Sequence, residues 1–348
     1  MAGLMLHLLM AHKIKPKGSI LFYIGSIAPD AVSNWKDKDI THFRNLTDRN
    51  EALANLALQT SPSDDFTEGV LLHLYMDWRW DTLARDEFIK KIDGDWFIKY
   101  RKELSLSSSY AFHNADWAKN LWEQMELLDS SEYGKTPGAT VEELKDLICR
   151  NNKWHNDNNM EPSTYFTPEF IEKFINQVGD EYTQWRTQRE IEYYNSLPVD
   201  FVDFIDFEKL SDGEIELFCV AKKPAIPEKK WVPAYDFEIR KNNNRAGRIN
   251  LRIGYTDGLY YGGHIGYSVD EQHRGHGYAE KACRLLTPII KAHGMNKVLI
   301  TNNHTNIASK RTCEKLGAKL IRIAPIPEWH DLYKDGQRFE NIFEWSVD

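Results

Sequence analysis

Two groups of residues in this 348-residue chain have the types and spacing that chemistry needs. The first is EQHRGHGYAEKA, residues 271–282, where Gly275 and Gly277 stand among basic and polar residues just ahead of a helical pattern. Glycine costs conformational entropy, so its use here implies a need for bare backbone. Two readings are open. Either a tight turn needs permissive residues, or the N–H groups of the loop face an anion at a helix N-terminus. Arg274 adds a full positive charge, and the set suits a diphosphate. His273 and His276 are either phosphate partners when protonated or ordinary surface histidines.

The second group centres on VLLHLYMDWRW, which puts His73 and Asp77 four apart, on one face of a helix. The helix is apolar nearly all round, so both groups are expected to be buried and to need partners. Asp30 in GSIAPDAV, His42 in ITHF, and His7 and His12 in the first apolar segment extend the set. Histidines with carboxylates are the ligand types zinc takes. A buried His73–Asp77 hydrogen bond without metal is the alternative.

These residues require elements to hold them. Apolar positions recur at helical spacing over 1–12, 46–58, 64–82, 112–128 and 166–194, and Ser63 or Asp64 is the expected cap of the third. Nothing before about residue 195 alternates as a strand does. After SLPVDF the texture changes to the β-type runs IELFCVAKK, PAYDFEIRK, GRINLRIGY, YYGGHIGYSV, KVLIT, AKLIRIA and FENIFEWSV. Helical runs over 277–293 and 306–316 interleave with them, with Gly294 and Gly317 where C′ glycines belong. The expected organisation is an all-α domain over 1–197 and an α/β domain over 198–348.

In the second half, a strand, the glycine turn, the helix YAEKACRLLTPIIKAH, the strand KVLIT and then NNHTNIASKRTCEKLGA follow one another. The spacing Gln272-x-x-Gly275-x-Gly277, followed by Asn306-x-x-Ser309 and Leu316-Gly317-Ala318, resembles two successive motifs of the GNAT acetyltransferase superfamily. The resemblance covers about residues 205–348. It implies a mixed, splayed β-sheet flanked by helices, with a V-shaped opening between two parallel strands. It implies acetyl-CoA as cofactor, its pantetheine arm along Ile265, Tyr267 and Val269. The pyrophosphate would lie on the N–H groups of residues 273–278, so that Gln272, His273, Arg274, Gly275, His276, Gly277 and Tyr278 bind it. Asn306 and Ser309 would fix the loop or the cofactor arm. The implied reaction is direct attack of a neutral amine, on a small molecule or peptide, at the thioester carbonyl. That needs a base, donors for the oxyanion and an acid for the thiolate. Many relatives carry a tyrosine as acid seven residues after the asparagine; here Cys313 stands there, either as a proton-donating thiol or as core. His264 is the candidate base, its ordinary pKa lying near neutrality, with a core position as the alternative. Asp270 and Glu271 are candidates acting through water.

The first half, through H…APD…THF…HLxxD, resembles the zinc-dependent phospholipase C family, an all-helical fold, over roughly residues 1–130. Residue by residue, His12, Asp30, His42, His73 and Asp77 match its ordered metal ligands. The resemblance implies zinc that polarises a phosphodiester and generates the attacking hydroxide. The chain departs from the family by lacking a His-x-x-x-Glu pair after Asp77; His113 with Asp116, and His155 with Asp157, have the wrong spacing. Three functions are therefore weighed: the acetyltransferase, a zinc-dependent phosphodiester hydrolase, and a first half that only binds metal or partners.

The whole chain narrows the class. With 42% hydrophobic and 28% charged residues it can bury sizeable cores, and a net charge of −8 argues against a general nucleic-acid binder. Cys149, Cys219, Cys283 and Cys313 show no paired spacing, so reduced thiols and a cytoplasmic location are expected. The apolar N-terminal stretch is broken by His7, His12 and KIKPK and lacks the features of an export signal, so no membrane span is expected.

Overall fold

The computed structural model describes residues 2–207 and 209–347. The chain divides into two compact units, Met1–Glu190 and Ile191–Asp348. The first unit is helical: α1 (Leu4–Ile14), α2 (Ile20–Gly25), α3 (Trp35–Thr41), α4 (Arg49–Gln59), α5 (Asp65–Trp80), α6 (Asp86–Lys91), α7 (Trp96–Asn114), α8 (Ala118–Leu127), α9 (Val141–Asp157) and α10 (Pro168–Asn195). The last of these runs through the division between the units.

Helix α5 is the centre of this unit. Asp64 caps it by accepting from the Thr67 N–H, and it buries Phe66, Val70, Leu71, Leu74, Met76 and Trp80. It touches α2 backbone to backbone: a Cβ at Gly25 would lie 2.0 Å from the Phe66 carbonyl oxygen, and one at Gly69 would lie 2.2 Å from that of Phe22. No larger residue fits at this crossing, and the crossing carries the Ser26 carbonyl to His73. Arg186 of α10, fully buried, is held by an ion pair with Glu68. After Trp80 the helix continues into one π turn, Asp81–Arg85.

The second unit contains two antiparallel sheets. Strands β1 (Leu210–Ser211), β2 (Glu216–Lys223), β3 (Ala234–Lys241), β4 (Asn244–Arg252) and β5 (Ile265–Val269) form one, in sequence order. Strands β6 (Lys297–Asn303), β7 (Lys319–Pro325) and β8 (Phe339–Ser346) form the other, in the order β6-β8-β7. The expected mixed sheet is thus corrected: every ladder among the described residues is antiparallel. Between β5 and β6 there is one backbone bond, His264 N–H to Leu299 O at 2.7 Å, and no ladder. The Leu299 N–H is taken by the His264 ring instead.

Helices α11 (Asp257–Gly262), α12 (Tyr278–Leu285), α13 (Thr287–Ala292), α14 (Ile307–Leu316) and α15 (Asp331–Lys334) complete the unit. Two expectations fail locally. YYGG, expected as strand, closes α11, because Thr256 caps that helix and Gly263 leaves it at φ +69°. The helix expected over 277–293 is broken at Leu286, where Pro288 supplies no N–H and its ring conflicts with the preceding turn. Tyr194 and Ile191, from the end of α10, pack with Tyr260, Tyr261, Leu299, Ala324 and Ile342, and the Tyr194 hydroxyl donates to Glu344 at 2.8 Å. No helix among the described residues is long and apolar enough to cross a membrane.

Candidate functional site

The glycine loop connects β5 to α12. Its first turn consumes two amides: His273 N–H bonds Asp270 O at 2.8 Å and Arg274 N–H bonds Glu271 O at 3.2 Å. From Gly275 to Glu280, by contrast, no backbone N–H has an acceptor among the described residues. The cradle expected over 273–278 therefore lies two residues further on. Gly275 and Gly277 have φ of +83° and +75°, the left-handed region, and a Cβ on either would meet nothing within 4 Å. Gly277 is the N-cap of α12 and offers no side chain to its amides. Six successive donors at a helix N-terminus form a nest for an anion with several oxygens. Arg274 and Gln272 are exposed beside it; Arg274 Nε donates to Val269 O at 3.3 Å. The His276 ring stacks on Tyr278, and its Nδ1 lies 3.0 Å from Arg274 O.

Alternation fixes what β5 presents. Arg252 N–H bonds His264 O, and Asp270 N–H bonds Ala246 O, so the even-numbered residues of the strand face β4. The backbone groups of Ile265, Tyr267 and Val269 point the other way, along the edge that diverges from β6. An extended ligand can pair there. The Tyr267 hydroxyl lies 2.9 Å from Ser309 Oγ and ties β5 to the first turn of α14. Asn306, exposed, caps that helix by accepting from the Ser309 N–H at 3.1 Å.

Cys313 lies one turn beyond Ser309 and is fully buried, with Asn302 Nδ2 at 3.7 Å from its sulfur. Burial pushes its thiol up to about 12, more than the Tyr267 contact lowers it. Such a thiol is a poor donor to a leaving thiolate whose conjugate acid has an ordinary pKa of about 8.5. His264 is also fully buried. Its Nδ1 accepts the Leu299 N–H at 2.8 Å, so the proton sits on Nε2, which has no partner. With its lone pair occupied, the ring serves as a clasp where β5 meets β6, not as a free base.

Burial lowers the pKa of His264 to about 4. A histidine depressed in the folded state favours folding while neutral. Its contribution is full above the ordinary pKa of about 6.5 and is lost as pH falls from there through about 4. Stability to urea should drop by about 2–3 kcal/mol across that window. His264→Asn, whose Oδ1 can still accept at the δ position, should flatten part of the slope; an unchanged slope would show that this ring does not carry it.

In the first unit, four of the five expected metal ligands converge. His42 Nδ1 lies 2.8 Å from Lys38 O, and His73 Nδ1 lies 2.9 Å from Ser26 O. Carbonyl oxygens only accept, so both rings carry their proton on Nδ1. Their Nε2 atoms, left bare, face each other at 3.2 Å. Burial lowers both pKa values, more than the nearby carboxylates raise them, so neither ring takes the proton that would relieve the contact. Asp77 Oδ2 stands 3.7 and 3.9 Å from the two Nε2 atoms, and Asp30 Oδ1 stands 4.0 Å from that of His42. Two facing imidazole lone pairs beside two carboxylates are donor atoms of the types that zinc takes.

His12 is not brought to this cluster. It stacks on Trp117 with centroids 4.2 Å apart. His7 occupies the place instead, stacked on His73 at 3.8 Å, with neither ring nitrogen hydrogen-bonded. Five residues apart on a helix of 3.6 per turn, His7 and His12 cannot share a face, and only the burial of Met5, Leu6 and Leu8 chooses between them. His7, Asp30 and His73 form one potential ligand group, and His42, His73 and Asp77 another. His113 and His155 lie outside both; His113 Nε2 is 3.1 Å from His155 O.

Sequence reasoning missed the cations around the cluster. Lys38 Nζ lies 2.8 Å from Asp30, and Arg44 Nη2 lies 3.0 Å from Asp77. Arg44, Arg49 and Arg85 all converge on Asp81 in the π turn. A cavity of about 520 Å³ touches Asp30 and is lined by Lys38, Arg44, Arg85, Arg101 and Arg150. Isolated basic residues scattered from 38 to 150 gave no pattern in the sequence; the helices assemble them.

Comparison with known proteins bears on the second unit. Residues 179–319 match the family described as acetyltransferase (GNAT) domain, less than half of the chain. Among solved structures, the chain is similar to a Salmonella typhimurium acetyl transferase that modifies the N-terminal serine of 50S ribosomal subunit protein L7/L12, with 19% identity and a TM-score of 0.27 over 35% of this chain and 67% of that one. It is similar to the microcin C7 self-immunity acetyltransferase in complex with acetyl-CoA and AMP, with 19% identity and a TM-score of 0.26 over 33% and 61%. It is also similar to a ribosomal L7/L12 α-N-protein acetyltransferase in complex with coenzyme A, with 14% identity and a TM-score of 0.31 over 40% and 99%. No curated protein matches the chain.

Proposed function

We propose that the GNAT acetyltransferase domain carried by residues 179–319 moves an acetyl group from acetyl-CoA to an amine on a small molecule or peptide. The observation that carries this reading is the run of six unpartnered amides from Gly275 to Glu280 beside Arg274. The diphosphate of the cofactor takes these donors. The pantetheine arm lies along the outward backbone of Ile265, Tyr267 and Val269, with Gln272, His273, His276, Tyr278, Asn306 and Ser309 shaping the channel. The neutral amine attacks the thioester carbonyl, and the C–S bond breaks as the thiolate leaves. Ser309, a half-buried hydroxyl paired with Tyr267, is less enclosed than Cys313 and can donate a hydrogen bond to that thiolate. Calorimetric titration of the full chain with acetyl-CoA tests the reading: one saturable site is expected, and no saturation would end it.

A second activity is favoured by the facing Nε2 atoms of His42 and His73. We infer that the first unit binds zinc through His7, Asp30, His42, His73 and Asp77. Bound zinc would polarise a phosphoryl oxygen and activate water, while the arginine-lined cavity beside Asp30 would hold an anionic ester. Lys38 and Arg44 compete with metal for the same carboxylates. Elemental analysis of the purified chain decides between a metal centre and a buried polar cluster.

A further inference from the structure

The acetyl transfer described above still lacks a base, since His264 has no free lone pair. The three-stranded sheet supplies a candidate. Along β6 and β8 the pairs are Thr301 with Ile342, Asn302 with Asn341, and Asn303 with Glu340. Successive side chains alternate between the two faces of a sheet. Asn302 and Asn341 face α14: Asn302 contacts Cys313, and Asn341 donates to Asn302 at 2.9 Å. The residues between them face the other way. On that side Leu299, Ala324 and Ile342 pack with Tyr260 and Tyr261 of α11, and Thr301 approaches Gly263 so closely that a Cβ there would lie 3.1 Å from its Oγ1.

Glu340 therefore shares the α11 face, opposite the face on which α12 and α14 pack together. Only 3% of its surface is exposed, and its Oε2 is sealed with no hydrogen-bond partner. Across the strands it has Ala324, whose methyl group offers no donor, and Asn303, whose amide donates to Gln337 instead. A buried carboxyl without a partner costs stability. A group buried at that cost points to a use. The two faces give one. A cofactor whose diphosphate sits at α12 reaches the gap between β5 and β6 from the α14 side, which leaves its carbonyl open to attack from the α11 side.

We propose that Glu340 is the general base of the acetyl transfer, acting on an acceptor that enters on the α11 face of the sheet. This rests on the acetyltransferase reading. The Glu340 carboxylate takes one proton from the ammonium form of the acceptor, giving a neutral amine. That amine forms the C–N bond as the C–S bond breaks. The second proton lost from nitrogen ends on the thiolate, so the products are the amide, free coenzyme A and one proton released through Glu340. Burial alone holds the carboxyl of Glu340 up to about 7, where a base is half ready at neutral pH. Glu344 of β8, Lys297 of β6, Lys319 and Arg322 of β7, Tyr260 and Tyr261 of α11, and His330, whose ring lies 5.7 Å from that of Tyr261, are titratable or charged side chains on the elements about this face; none contributes to that shift.

The test compares the full chain with Glu340→Gln. With pooled peptides bearing free amino termini as acceptors, the variant should keep wild-type acetyl-CoA affinity by calorimetry and lose about 10²-fold or more in kcat. The wild-type kcat/KM should rise with pH through a midpoint near 7, a limb that the variant lacks. With hydroxylamine, already neutral at that pH, the two should turn over alike, which a merely structural role would not give. Independently of turnover, infrared titration of the wild-type chain should show a carboxylic acid that ionises near neutrality and is missing from the variant. Wild-type rates in the variant, or a Glu340 that ionises in the ordinary carboxylate range, would overturn the proposal. Failure of the wild-type chain to bind acetyl-CoA would instead end the acetyltransferase reading on which it rests.

Discussion

Gly275→Glu should abolish saturable binding of acetyl-CoA while leaving the chain folded. At φ +83° the new residue must adopt the left-handed conformation, which costs about 1–2 kcal/mol. Its Cβ meets nothing within 4 Å, so there is no clash to add. The fold can absorb that. Binding cannot, because the carboxylate stands among the amides that are to receive phosphate oxygens. Losing two charge-assisted hydrogen bonds, at about 1.5–3 kcal/mol each, weakens binding by about 100-fold or more even before like-charge repulsion is counted. Gly275→Asn separates strain from charge, since asparagine tolerates the same backbone region. It should bind acetyl-CoA far more tightly than the glutamate variant. Equal affinity in Gly275→Glu and the wild type, measured calorimetrically, would remove the loop from the cofactor site.

The second large effect is at Asp77. This carboxylate receives the Ala2 N–H at 3.1 Å and Arg44 at 3.0 Å, and lies 3.4 Å from His7. Removing one partner of a buried charge pair typically costs about 3–5 kcal/mol, because the other is left without compensation. Asp77→Ala should therefore lower the unfolding free energy by about that amount. It should also lose any response to metal. In the wild type, added zinc should raise the melting temperature and a chelator should lower it, since a ligand held only by the folded state stabilises it by mass action. A wild-type chain that is indifferent to both, and purifies without metal, would make the cluster a set of buried polar contacts and nothing more.

The parts of the molecule that could be read from sequence are those set by local chemistry. Gly275 and Gly277 mark a stretch of bare backbone by residue type alone, and Asp64 is one of the two caps expected for α5, its side chain serving the amide of Thr67. What could not be read was set at long range. The two amides spent in the turn after Asp270 moved the cradle by two residues. The resemblance points to His12 and not His7, and periodicity does not correct it, since it gives a helix its faces without saying which one meets α5. Glu340 is invisible for a similar reason: FENIFEWSV reads as a strand, but the register of three strands decides that this glutamate is sealed and unpartnered. Cys313 and His264 are of chemically active types, and it is packing that leaves one as a core thiol and the other as a clasp.

The helix that passes the division between the units has a bearing on how the transferase half can be isolated. A fragment that starts at residue 198 would discard Ile191 and Tyr194, and with them the hydroxyl that donates to Glu344. Glu344, only 2% exposed, would keep its ion pair with Lys297 but lose that hydroxyl, and Tyr260 of α11 would lose part of its apolar cover. Such a fragment would invite aggregation and could be mistaken for an inactive enzyme. Cutting upstream of Ile191, so that the last turns of α10 remain, keeps that shield in place.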